Sequence, residues 1–326
     1  FPDKGYPFLS VIWGGMVGAV TGINQQGIFV AINAAGSDDF ARIGTPTTII
    51  VKNILTHSKS LEEAIQILED SSVFITDIFI MADRKTNRVV VVEKSPAKMD
   101  VHFLKESEVV ANHLQAKIWA GDINNENRKT NLTSEFRFKR GMELIAAKTY
   151  AHPLEKTVDL LSDKNLYEKR QGHLGHRGAI DSLIASQSVI YDMSKGVFYV
   201  NLGPGTSGKF LGYDMDKSFA KKYPVQVDEI RNLNMSEAEY GQWQKRMLTV
   251  TQAKQALNSH KCDEVKASIR QINTPDFVHY DKESLLGDYA ATCLKDLTQA
   301  RVHWTRALSY NPPYVKQRNI LQEKLK

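Results

Sequence analysis

Residues 13–35 read WGGMVGAVTGINQQGIFVAINAA, and this stretch decides the fold. Met16 to Val20 is a short apolar run and Ile28 to Ile32 is a second; Thr21 to Gly27 between them is turn chemistry. Two β-rich runs across a Gly/Asn-rich turn predict a hairpin. Neither run alternates cleanly, which predicts strands covered on both faces, as inside a layered sheet. The glycines suit backbone that turns with positive φ or approaches another segment closely. Asn33 falls where the second strand runs out, beside Ala34, Ala35 and Gly36. A neutral amide at a strand end, flanked by small residues, is well placed to address a ligand.

Outward from this hairpin, Phe8 to Trp13 reads as a strand leading in, and Asp38 to Pro46 as a polar loop. Helices are expected from Thr47 to Thr56 and from Ser60 onward, where Ser60-Leu61-Glu62-Glu63 has the form of a capping box. Phe74–Met81 and Val89–Glu93 predict strands, with further strands at Met99–Phe103 and Glu108–Ala111. Phe136–Lys148 and Pro153–Leu161 predict helices, and Ser182–Asp192 with Val197–Leu202 another hairpin. This order is α+β with mainly antiparallel sheets. The texture changes near Tyr223, and from Met235 to Lys326 only helical periodicity is found. Ala300, Trp304, Ala307 and Pro312 follow the spacing of the second helix of a tetratricopeptide repeat, although an ordinary helical hairpin fits as well.

Four segments together carry a resemblance. The opening stretch resembles the G-x-x-G-x-x-x-G-M/I-N-x-x-G-L/I element of the penicillin acyltransferase and choloylglycine hydrolase group of N-terminal-nucleophile hydrolases. Val90-Val91-Val92-Glu93-Lys94-Ser95-Pro96, Val109-Val110-Ala111-Asn112-His113 and Ser134-Glu135-Phe136-Arg137-Phe138-Lys139-Arg140 resemble that group's later elements, in its order. The resemblance implies a four-layer αββα sandwich over residues 1–223, followed by an α-helical, tetratricopeptide-like region over 235–326. It also implies a hydrolase or acyltransferase of linear amides that matures by autoproteolysis. The group's nucleophile is an N-terminal cysteine, placed before an R-N-x-D element. This sequence opens at Phe1-Pro2-Asp3, so the resemblance places both elements ahead of Phe1, unless this relative has lost its chemistry; without them the chain is expected to be inactive. A gap is expected beside Val17–Val20, where that segment belongs.

Amide cleavage needs a nucleophile, a base and donors aimed at the developing oxyanion. The resemblance assigns Asn33 and Asn112 to the oxyanion site and Arg137 to its neighbourhood. Read from the residues alone, the asparagines also suit turns or strand caps that bond local backbone, and Arg137 suits a helix-surface ion pair. Glu93 is expected to be the first exposed residue after its valines, and His113 is given a supporting role. His173 and His176 lack a third ligand, so no metal is expected. Gly203 to Gly208 opens no helix and is read as a loop, with no cofactor implied.

Composition bounds these readings. The 326 residues are 42% hydrophobic and 24% charged, typical of a globular chain. No run approaches the roughly 20 apolar residues of a membrane helix. The +5 charge is spread among acids, which argues against a nucleic-acid surface. Cys262 and Cys293 form no recognisable disulfide framework or zinc spacing and are expected to be buried thiols in helices. The implied partner is a small N-acyl amide. A protein partner on the helical tail and homo-oligomerisation stay open, as does the compartment, with the cell envelope favoured over the cytoplasm. The other readings are a non-catalytic relative that binds a ligand or partner through its pocket and tail, and a helical adaptor for which the sandwich is only a platform.

Overall fold

A computed structural model describes residues 1–147, 153–232 and 234–326. Its first sheet has six antiparallel strands in chain order: β1 (Phe8–Val11), β2 (Thr21–Asn24), β3 (Ile28–Ala34), β4 (Asp77–Asp83), β5 (Arg88–Lys94) and β6 (Met99–Phe103). Between β3 and β4 lie α1 (Thr47–His57) and α2 (Leu61–Asp70). Strand alternation sends Ile28, Val30, Phe79, Met81, Val90 and Val92 to one face, where they pack on Ile50, Ile54, Leu61 and Leu68 of these helices. Each such side chain removed from water contributes about 1.5–3 kcal/mol.

The chain then forms α3 (Ile123–Thr130), α4 (Ser134–Ala146) and α5 (Pro153–Leu161). A second antiparallel sheet follows, from β7 (Val189–Asp192), β8 (Val197–Asn201), β9 (Gly208–Asp214) and β10 (Gln226–Asn232), with α6 (Met215–Lys221) inserted before β10. Phe29 stacks on Tyr191 and meets Phe198, and Ile23 packs with Phe198 and Met215, so the two sheets face one another. Leu154, Val158 and Leu161 of α5 cover the far side of the second sheet. The layers therefore run helix, sheet, sheet, helix.

The final helices are α7 (Glu237–Asn258), α8 (Cys262–Ile272), α9 (Tyr280–Tyr289), α10 (Leu297–Ser309) and α11 (Val315–Leu325), with a π-helical turn at Ala290–Leu294. Ala300, Trp304 and Ala307 are buried together, as their spacing predicts. A methyl on Gly287 would lie 2.5 Å from the Trp304 ring, so that position admits only glycine at this helix crossing.

Several expectations are corrected. Met16–Val20 is not a strand: the hairpin joins Thr21–Asn24 to Ile28–Ala34, and Val17 is 74% exposed. Here Gly18 adopts φ +102°, and a Cβ would fall 2.4 Å from the Thr48 carbonyl oxygen. Apolar content suggested a strand, but Gly15 and Gly18, both at positive φ, make this segment a turn laid over the start of α1. Glu108–Ala111 forms no strand; the carbonyls of Val110 and Ala111 accept from Asn33 and that of Val109 from Gln115. The Ser60 hydroxyl does accept from Glu63 N, but the Glu63 carboxylate reaches past Ser60 to Lys59 N. The second sheet continues past Tyr223 through β10, and the predicted helix end at Lys148 lies outside the described residues. Cys262 and Cys293 are not free thiols but form a disulfide joining α8 to the turn after α9. Their spacing carried no such signal, because helix packing brings them together.

Candidate functional site

Alternation along β3 turns Ile28, Val30 and Ile32 toward α1 and α2, leaving Phe29, Ala31 and Asn33 on the face opposite. Past the reach of the second sheet, this face is covered by the segment after β6, with Leu114 and Trp119 packed on Ile78 and Val91. Asn33 Nδ2 donates to the carbonyls of Val110 and Ala111, at 3.1 Å each. Asn112 Nδ2 donates in return to the Ala34 carbonyl at 2.8 Å. The two asparagines thus stitch the end of β3 and the covering segment together reciprocally.

Arg137 joins them. Its Nη1 donates to Asn112 Oδ1 at 2.9 Å, which fixes the orientation of that amide. Ser134, one helical turn earlier on the same face of α4, accepts the Asn112 backbone N–H at 2.7 Å and lies 2.8 Å from His113 Nδ1. Burial pushes His113 down to about 4, so its ring is neutral at pH 7. The Ser134 hydroxyl thus shares one hydrogen bond with His113 Nδ1 while a lone pair accepts the Asn112 backbone N–H. Ser134 and Arg137 grip one residue from two sides, the serine by its backbone and the arginine by its side chain. Asn33, Asn112 and Arg137 are brought to one place.

Arg137 is half-buried, and among the described residues no carboxylate forms an ion pair with it. Burial, followed by the nearby Arg177 charge, holds its pKa below the usual arginine value, yet a guanidinium remains protonated at any working pH. The expectation of a helix-surface ion pair is thus not met. Arg177 in turn donates from Nε to Tyr314 Oη at 3.3 Å, drawing in the residue that precedes α11.

Glu93 corrects a further expectation: it is buried, and its carboxylate accepts from the N–H groups of Gln115 at 2.6 Å and Ala116 at 3.1 Å. The sequence reading left this face open to solvent, whereas the covering segment closes it. Burial raises the Glu93 pKa, against the pull of those two N–H groups. A cavity of about 410 Å³ lies here, bordered by Val91, Glu93, Glu108 and Val110. A larger concavity of about 980 Å³ beside Leu154 and Ile190 holds none of the asparagines or Arg137.

His173 and His176 belong to the seam with the helical tail. His176 Nε2 donates to the Asn311 carbonyl at 2.7 Å, and the His173 ring lies 3.8 Å from that of His279. Among the described residues no group of histidine, cysteine and carboxylate side chains could hold a metal ion. Ser134 lay inside a motif already quoted, three residues before Arg137. Arg177 and Tyr314 had no signal, because their meeting depends on how the tail packs.

Among solved structures, the chain is similar to two variants of a conjugated bile acid hydrolase from Clostridium perfringens. Each is 14% identical over 71% of this chain and 84% of theirs, with TM-scores of 0.43 and 0.45. It is also similar to penicillin V acylase from Agrobacterium tumefaciens, 14% identical over 67% of this chain and 80% of that one, with a TM-score of 0.37. No curated protein matches the sequence. Residues 2–205 match the family model described as acyl-coenzyme A:6-aminopenicillanic acid acyl-transferase. That match spans well over half of the sequence, and the chain belongs to this family.

Proposed function

We infer that this protein hydrolyses or transfers linear amides, with an N-terminal cysteine supplied by a segment outside the 326 residues as the nucleophile. The observation that carries this reading is the fixed amide of Asn112. An amide nitrogen bears two hydrogens; the Ala34 carbonyl takes one, and the other is the donor for an oxyanion. Arg137 on Oδ1 polarises that amide and lends positive potential to the place where negative charge develops. Asn33 donates to two carbonyls already, so its role is to seat the Val110–Ala111 segment that carries Asn112.

In the reaction proposed, the cysteine α-amine takes the thiol proton and the thiolate adds to the substrate carbonyl carbon. The resulting O⁻ is stabilised by Asn112. Collapse expels the amine, which receives the proton, and leaves a thioester. Water releases the acid, or a second amine takes the acyl group. Both cysteines within the chain are tied to each other in the tail, so neither is this nucleophile. The helical tail meets the turn at His176 and Arg177 through Asn311 and Tyr314.

The test is amine release from a panel of N-acyl substrates by the protein carrying its upstream segment. Turnover should require the N-terminal cysteine and vanish in its Cys→Ala variant. Turnover by a chain that starts at Phe1 would place the nucleophile elsewhere and overturn the assignment.

A further inference from the structure

Asn112 sits in a stretch of chain that is neither helix nor strand. Among the described residues no backbone-to-backbone hydrogen bond holds residues 105–115. Side chains hold them instead. Asn33 of β3 takes the carbonyls of Val110 and Ala111, and Ser134 of α4 takes the N–H of Asn112. Asn125 of α3 grips Leu114 twice, accepting from its N–H at 2.8 Å and donating to its carbonyl at 3.0 Å. Glu93 of β5 then accepts from two successive amides, Oε1 from Gln115 and Oε2 from Ala116. Gln115 closes the stretch on itself, its Nε2 donating to the Val109 carbonyl at 3.1 Å.

The sheet sets the two ends of this stretch at a fixed spacing. Asn33 pairs with Ile78 across β3 and β4, and Ile78 pairs with Glu93 across β4 and β5. Both anchors therefore stand in one cross-strand row of the covered face, two strand spacings or about 10 Å apart. Asn112 is bridged between them. Packing alone leaves that bridge slack: Leu114 and Trp119 lie on Ile78 and Val91, but Val110 and Ala116 border the cavity of about 410 Å³ together with Glu93, so the chain has room to shift there. Of the four side chains that hold the stretch, Glu93 alone is ionisable. A carboxylate accepts on both oxygens, which a neutral amide with its NH₂ cannot do, and bonds to an ionised acceptor are roughly twice as strong as neutral ones.

We propose that Glu93 is a positioning residue for Asn112: it pins the far end of the stretch whose near end Asn33 holds, and so sets how the Asn112 amide is presented to the reacting carbonyl. Glu93 itself touches neither the substrate nor the reacting atoms. The role of Asn112 as oxyanion donor rests on the amide-processing reading; the pinning does not. Glu93→Gln keeps size and polarity but turns an NH₂ toward one of the two N–H groups, so one half of the clamp opens and the chain between Asn112 and Ala116 is released.

Hydrogen exchange of the 326-residue chain, read by mass spectrometry, and kinetics of the protein carrying its N-terminal cysteine separate the two ideas. In Glu93→Gln the amides of residues 110–116 should exchange about 10-fold faster or more, while those of α10 keep their rates. kcat should fall roughly 10–100-fold, the scale of one bond to an ionised group, with KM within about two-fold of the parent. Glu93→Asp, which keeps the charge but is one bond shorter, should lose less of kcat. Val92→Ala, the adjacent position on the opposite face of β5, should lower Tm at least as much and leave kcat unchanged. If Glu93→Gln does not fold, Glu93→Asp alone decides on the same readouts. Unchanged exchange at 110–116 would overturn the proposal, and so would a folded Glu93 variant whose kcat stays within about three-fold of the parent, or a kcat loss that Val92→Ala matches. Faster exchange in Glu93→Gln, with no turnover of any N-acyl substrate by the cysteine-bearing parent, would leave the pinning standing and remove the amide-processing reading. Turnover by that parent, with exchange and kcat unmoved in both Glu93 variants, would do the reverse.

Discussion

Replacing Ser134 by alanine tests the grip on Asn112 without touching any residue assigned to the chemistry. The hydroxyl is buried and serves two partners, accepting from Asn112 N at 2.7 Å and hydrogen-bonded to His113 Nδ1 at 2.8 Å. Alanine leaves the buried His113 nitrogen without its partner, which costs about 1–3 kcal/mol, and exposes the half-buried Asn112 amide to whatever water can reach it, about 0.5–1.5 kcal/mol more. The expected destabilisation is therefore roughly 2–4 kcal/mol. At about 2 °C per kcal/mol for a chain of this size, Tm should fall by about 4–8 °C. Thermal unfolding followed by circular dichroism would read this, with the exposed Ser72→Ala as the control. In the cysteine-bearing protein the same substitution should lower kcat more than it raises KM, because Asn112 loses one of its two anchors on α4. A Tm within 1 °C of the control, with unchanged kcat, would refute the two-sided grip.

Reducing the disulfide, or replacing both cysteines by serine, should cost the helical tail about 3–4 kcal/mol for a loop of this length, seen in calorimetry with and without reductant. An unchanged melt would show that α8 and the turn after α9 need no tether. Acid should destabilise the protein before its carboxylates titrate. His113, His173 and His279 are pushed by burial from 6.5 to about 4, 2 and 3. Above pH 6.5 both folded and unfolded chains hold them neutral and stability is full. As pH falls from 6.5 toward 4 only the unfolded chain takes up the protons, so stability drains away. Melts at pH 7.5, 5.5 and 4.5 should show the decline, and His279→Asn, which keeps an N-cap for α9, should make it shallower. A Tm that stays flat across that range contradicts the buried-neutral reading.

How legible this was depended on whether the signal was local. The strands at Met99–Phe103 and helices such as Pro153–Leu161 follow from periodicity and caps, and their bounds agree. Met16–Val20 deceived because its apolar residues sit among glycines, whose positive φ values make a turn. Strands β9 and β10 escaped notice because Gly208, Gly212 and the charged run near Asp228 weaken any apolar pattern. Asn33 and Asn112 could be picked out only by resemblance, since an asparagine at a strand end looks the same whether it caps or catalyses. Glu93, Arg177 and the disulfide depended on which distant segment covers which face, and no spacing along the chain records that.

The central claim is that Asn112 donates to the oxyanion. Its most direct test is the kinetics of Asn112→Ala in the protein carrying its N-terminal cysteine, with an N-acyl amide as substrate. Loss of one oxyanion donor costs roughly 2.7–4 kcal/mol in the barrier, so kcat should fall about 10²–10³-fold with KM little changed. Tm should fall by less than in Ser134→Ala, because the half-buried side chain leaves few groups stranded. A kcat within about three-fold of the parent, in a folded variant, would contradict the assignment.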